Sequence, residues 1–92
     1  MKFEWHAAKA KANLQAHRVS FELAKTVFND AFAIERLDDR EDYGEDRFIL
    51  IGMAKGHVML YVAYTERDQR IRIISARRAT QREQDDYFRQ NT

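Results

Sequence analysis

A chain of 92 residues with 45% hydrophobic side chains is the size of one domain and apolar enough to fold, so a disordered chain is excluded and a single unit over residues 1–92 is expected. It has no cysteine, which removes disulfides and thiolate metal sites and suits a reducing cytoplasm, and it has no proline. The formal charge of +1 conceals a segregation: residues 31–50 hold seven acidic and three basic side chains, whereas residues 67–80 hold five arginines against one aspartate.

The N-terminal stretch MKFEWHAAKAKANLQAH lacks the apolar region of a secretory signal, and no apolar run reaches the ~20 residues that span a bilayer. Phe3 and Trp5 precede HAAKAKANLQAH, whose alanines and lysines predict a first helix. HRV breaks the pattern. Ser20 is placed to cap a second helix, with Phe21, Ala24 and Phe28 on one face and Asn29 and Asp30 at its end. AFAIER (31–36) is a short strand candidate, and the charged LDDREDYGED (37–46), with Gly44, reads as a loop. RFILIGM (47–53) and HVMLYVAYTE (57–66) are predicted strands. They flank a tight AKG turn in which Gly56 is free to take positive φ. Asp68 and Gln69 turn the chain into RIRIISARR (70–78), the last strand. Thr80 and Glu83 form a T-x-x-E capping box that opens a final helix over about residues 81–89. The expected class is α+β: two N-terminal helices, a four-stranded antiparallel sheet and a short C-terminal helix.

Strict alternation along the last strand puts Ile71, Ile73, Ser75 and Arg77 on one face, and Arg70, Arg72, Ile74, Ala76 and Arg78 on the other. The second face carries three arginines beside Thr65, Glu66 and Arg67 of the neighbouring strand. Two accounts fit. Charges on an exposed strand discourage aggregation. Alternatively, a lobe made only of arginine suits phosphate, because one guanidinium binds two oxygens.

F-x-W at Phe3–Trp5, N-L-x-x-H at Asn13–His17 before V-S-F, R-x-D-Y-G-E-x-R at Arg40–Arg47, Y-T-E-R at Tyr64–Arg67 and I-R-I-I-S-A-R-R-A-T at Ile71–Thr80 form an ordered series. In this the chain resembles the BrnT toxins of bacterial BrnT/BrnA toxin–antitoxin systems over nearly its whole length. The resemblance implies a ribonuclease with a RelE-like fold. It also implies a cognate antitoxin bearing a ribbon-helix-helix domain, with which the toxin represses its own operon, so that operator DNA is reached only through the antitoxin. The chain departs from the family pattern at His6, where a better capping residue is usual, at Arg18, where the helix end usually has glycine, and at Ala31-Phe32 in place of Asp-Pro. All three affect the helical half.

RNA can be cut without a metal when the 2′-OH attacks the neighbouring phosphorus. The protein must then hold the phosphate, offset the charge on the phosphorane and move protons. Arg67, Arg72 and Arg78 suit the first two tasks. With a pKa above about 12, arginine is no base near neutrality, which leaves Glu66 or His17 for the proton. Glu66 is equally a partner for Arg67 or Arg72, and His17 equally a helix-end residue. Thr65, Arg70, Arg77, Tyr64 and Arg82 are candidates for RNA contact, Tyr64 and Tyr43 by stacking on a base. The three histidines have no ligand spacing, so neither a metal site nor a cofactor is expected. No membrane contact is expected. A non-enzymatic reading stands beside the enzyme: an arginine-rich module that binds nucleic acid or an acidic protein without turnover.

Overall fold

The computed structural model describes all 92 residues. Its elements are β1 (Lys2–Glu4), α1 (Ala7–His17), α2 (Phe21–Lys25) continued by a 3₁₀ turn (Thr26–Asn29), β2 (Ile34–Asp38), β3 (Arg47–Met53), β4 (Met59–Arg67), β5 (Arg70–Arg78) and α3 (Gln81–Gln90). The sheet order is β1-β5-β4-β3-β2. β1 runs parallel to β5 and every other pair is antiparallel. The sheet is therefore five-stranded and mixed, not four-stranded and antiparallel. The extra strand is three residues long, too short for a periodic signal. Its tertiary partners hold it: the Phe3 ring lies 5.1 Å from Phe28, and Trp5, just beyond the strand, meets Phe21 edge-on at 5.9 Å.

Local chemistry sets most boundaries. His6 precedes α1 in an extended conformation and makes no side-chain cap bond, whereas Arg18 ends the helix in the left-handed region with φ 59°. The Ser20 hydroxyl accepts from the Leu23 N–H and starts α2, which gives way to the 3₁₀ turn after five residues. The Asp30 carboxylate then accepts the Phe32 N–H and the Asp30 carbonyl accepts the Ala33 N–H. Residues 31–33 are thus a turn, and β2 begins at Ile34 rather than at residue 31. β4 begins at Met59, two residues later than expected, because Gly56 and His57 both sit at positive φ. Asp68 and Gln69, with φ 51° and 64°, form the two-residue reversal before β5. The Thr80–Glu83 capping box forms as expected.

The sheet separates two apolar layers. Helices α1 and α2 cover the face carrying Leu50, Leu60, Val62, Tyr64, Ile71 and Ile73. On the reverse face, α3 covers Ile49, Ile51, Met59 and Tyr61 through Tyr87. The Tyr87 hydroxyl donates to Asp30, which also takes the Met53 N–H.

One irregularity decides where the arginines point. Tyr64 pairs with Ile73 but Ala63 pairs with Ser75, so Ile74 is an unpaired extra residue in β5. Such a bulge exchanges the two faces beyond it. Ala76 consequently joins Ile71 and Ile73 in the layer under the helices, while Ile74 packs into the other layer. The strict alternation expected for this strand is corrected accordingly: Ala76 and Arg78 fall on the helix side, and Arg77 on the reverse side with Arg70 and Arg72. The edge of β5 past β1 is closed by a side chain. The Asn13 amide donates to the carbonyls of Ala76 (2.8 Å) and Val19 (2.9 Å) and accepts the Ala76 N–H (3.0 Å).

Candidate functional site

The five arginines of the β4–β5 hairpin occupy two ends of the sheet. Arg67, Arg70 and Arg72 surround the hairpin turn, and Arg77 and Arg78 lie at the far end of β5. At about 3.3 Å per residue the ends are roughly 20 Å apart. They are not one cluster.

At the turn end, cross-strand pairing brings Arg67 opposite Arg70 and Thr65 opposite Arg72. β1 adds Lys2 beside Arg70 and Glu4 beside Arg72. The Glu4 carboxylate lies 3.5 Å from Arg72. From the other side the loop between β2 and β3 folds over: Glu45 Oε1 accepts from Arg67 at 2.8 Å, and Glu45 Oε2 faces Arg47 Nε at 3.6 Å. The Arg67 hydrogen bond outweighs desolvation and holds the Glu45 carboxyl below its ordinary pKa. Arg47 stacks on the Tyr43 ring, 4.0 Å from its centroid. In the same loop Arg40 binds both oxygens of Asp38 (2.8 and 2.9 Å), and these bonds lower the Asp38 pKa to about 2 against burial. Arg70 has no carboxylate within ion-pair distance, so its guanidinium is available to solvent anions.

At the far end Arg77 is committed to protein. It stacks on Tyr61 at 3.8 Å, makes two bonds to Glu83 (2.8 and 2.9 Å) and a third to the Arg78 carbonyl. Burial raises the Glu83 pKa, but the bonds from Arg77 and Thr80 outweigh it and hold the carboxyl below its usual value. Arg78 is exposed and lines an open cleft with His57 and Gln84. Arg82 is exposed in the first turn of α3.

Several other candidates stand apart from the arginine face. Tyr64 is 3% exposed, wedged between Phe28 and Phe48, with its hydroxyl donating to Glu35. Burial pushes that hydroxyl's pKa well up. Its ring is core, not a stacking surface. Thr65 is 2% exposed and its hydroxyl is spent on the Asp46 carbonyl, where it pins the end of the acidic loop. The pleat sends Glu66 to the helix side opposite Ile71. His17 lies at the end of α1 on that same side. Neither joins Arg67 and Arg72. Glu4, Glu45 and Arg47, which do, were given no role from the sequence, although Glu45 and Arg47 are fixed positions of the R-x-D-Y-G-E-x-R motif. Glu4 had one signal, its alternation between Phe3 and Trp5. No three histidine, aspartate or glutamate side chains converge as a metal site, and no helix is long and apolar enough to cross a membrane.

Comparison with known proteins follows the same lines. The profile described as "Ribonuclease toxin, BrnT, of type II toxin-antitoxin system" matches residues 5–83. The crystal structure of the Brucella abortus ribonuclease toxin BrnT is similar in fold, with a TM-score of 0.66 at 23% identity, covering 88% of this chain and 99% of that one. No curated protein sequence matches significantly.

Proposed function

The chain belongs to the BrnT family of ribonuclease toxins of type II toxin–antitoxin systems, and on that premise we propose that it is a metal-independent RNA endonuclease of the cytoplasm that grips the RNA backbone with Arg67, Arg70 and Arg72. The observation that carries this is the gathering of these three guanidiniums, with Lys2, on a part of the sheet that no helix covers. A single strand laid there meets fork-shaped donors for its phosphates. Arg72 is the residue best placed to offset charge on the phosphorane, because Glu4 orients it and also offers the nearest carboxylate to take the 2′-OH proton. The leaving 5′-oxygen then takes a proton from solvent or from a neighbouring acid. Glu66 and His17, on the other side of the sheet, are given no part in this step. Arg78, on the helix side of the sheet, is given no part in this grip, whereas Arg82, exposed in the first turn of α3, is free to meet a longer RNA. The partner is a ribbon-helix-helix antitoxin that silences the toxin by covering the arginines and represses the operon with it.

The non-catalytic reading has one observation in its favour: Arg67, Arg72 and Arg77 each hold a carboxylate, as in a structural ion-pair network. Purified protein incubated with RNA in EDTA separates the two. Cleavage that persists without metal, and disappears in both Arg72→Ala and Glu4→Gln while thermal unfolding is unchanged, is the expected result. Binding without cleavage would establish the module instead.

A further inference from the structure

Glu45 and Arg47 enclose an arrangement that the catalytic proposal does not use. Arg47 Nε is buried and has no hydrogen-bond partner. Its ion-pair partner, Glu45 Oε2, stands at 3.6 Å, too far for a bond, while the other oxygen of the same carboxylate is drawn to Arg67 at 2.8 Å. One planar carboxylate thus lies between two guanidiniums and satisfies one of them. A buried donor left unmade is costly, and native structures leave few of them. Tyr43 fixes the Arg47 plane from one side, and the Thr65 hydroxyl pins the backbone of Asp46 between Glu45 and Arg47, so the Arg47 donors stand in place whether or not the Glu45 side chain does.

We propose that Arg47 and Arg67 form an anion site for an RNA backbone phosphate, occupied in the free protein by Glu45 as an internal stand-in. The proposal rests on the RNA-binding reading and adds a subsite to it. A phosphodiester carries its charge on two oxygens set tetrahedrally, and together they reach two guanidiniums that a single carboxylate spans poorly. The bond that must break is an exposed arginine–carboxylate pair, and such pairs are weak. Glu45 leaves by rotation of its own side chain, which keeps the Asp46 anchor and the Tyr43 stack in place. The device screens the arginines from stray anions and yields to a polyanion that brings several phosphates at once.

The test uses the whole protein and a short single-stranded 2′-O-methyl RNA, which cannot be cut by 2′-OH attack, with binding read by fluorescence anisotropy over a series of salt concentrations. Glu45→Gln keeps the shape and removes the charge. It should tighten binding about two- to fivefold at low salt, and steepen the salt dependence by about 0.7 in log–log slope, one further phosphate. Asp39→Asn, which removes a charge from the same loop without touching an arginine, should do less. In an Arg67→Ala background the gain from Glu45→Gln should vanish. Equal effects of Glu45→Gln and Asp39→Asn, or a gain that survives Arg67→Ala, would overturn the site. If inorganic phosphate competes as well per phosphate as the RNA does, the site is a free-phosphate site and the assignment to RNA fails. Failure of the underlying reading looks different: wild-type protein would then bind no RNA at low salt, and Arg72→Ala would change nothing.

Discussion

Replacing Asn13 with alanine probes the join between the helical layer and the strand that carries the arginines. The Asn13 side chain is the only partner of the Ala76 N–H and carbonyl outside the sheet, and it also holds the Val19 carbonyl. All three groups are buried, so the variant strands one donor and two acceptors at about 1–3 kcal/mol each where water cannot reach them. Alanine returns about 0.6 kcal/mol as the better helix former. Water admitted near the helix end recovers part of the rest. The expected loss is about 3 kcal/mol, a large share of the ~5–15 kcal/mol that a domain this size possesses. Urea unfolding followed by circular dichroism, with an unchanged slope, measures it. Asn13→Asp keeps the acceptor but turns an oxygen toward two carbonyls, and should be no better near neutral pH. A loss below about 1 kcal/mol for Asn13→Ala would mean that the β5 edge past the bulge does not depend on this amide.

Other perturbations have defined signs. His6→Asp gives α1 the cap it lacks and should add about 1 kcal/mol, seen as a rise in the urea midpoint. Gln69→Gly relieves a left-handed residue in the β4–β5 turn and should stabilise by roughly 0.5 kcal/mol without altering RNA binding. The Asp38 carboxyl, lowered by Arg40 from 3.8 to about 2, contributes stability that is complete above pH 4 and lost as the pH falls toward 2. The stability gap between wild type and Asp38→Asn should therefore close over that window, and a gap independent of pH there would contradict the pairing. Arg72→Glu should weaken both RNA cleavage and the association rate with the antitoxin, the latter falling with salt. Loss of cleavage with unchanged antitoxin binding would place inhibition elsewhere.

What the sequence disclosed tracks how local each cause is. β3 and β5 fall where their apolar runs begin and end, and the capping residues Ser20 and Thr80 act within one turn of themselves. β1 has three residues and no partner until β5 exists, so nothing in KFE announces it. The bulge at Ile74 has no glycine to mark it. It arises from the fit of β5 against both layers, and it alone reverses the assignments of Arg77 and Arg78. The charge of the hairpin was legible, but its division was not. Which arginines are tied to Glu4, Glu45 or Glu83 depends on pairings between distant segments.

The parallel pairing of Lys2–Glu4 with Arg70–Arg72 has a consequence for how the protein is born. Residues 2–4 must wait for residues 70–72, 68 positions later, before they find their place. At roughly 5–20 residues per second that interval is several seconds, during which the backbone of Lys2–Glu4 has no strand to pair with. β1 therefore joins the sheet only once β5 has been made, and Lys2 and Glu4 reach Arg70 and Arg72 in that late step. The basic surface at the β4–β5 turn is thus completed by the segment made long before it, and a chain without β5 cannot assemble it.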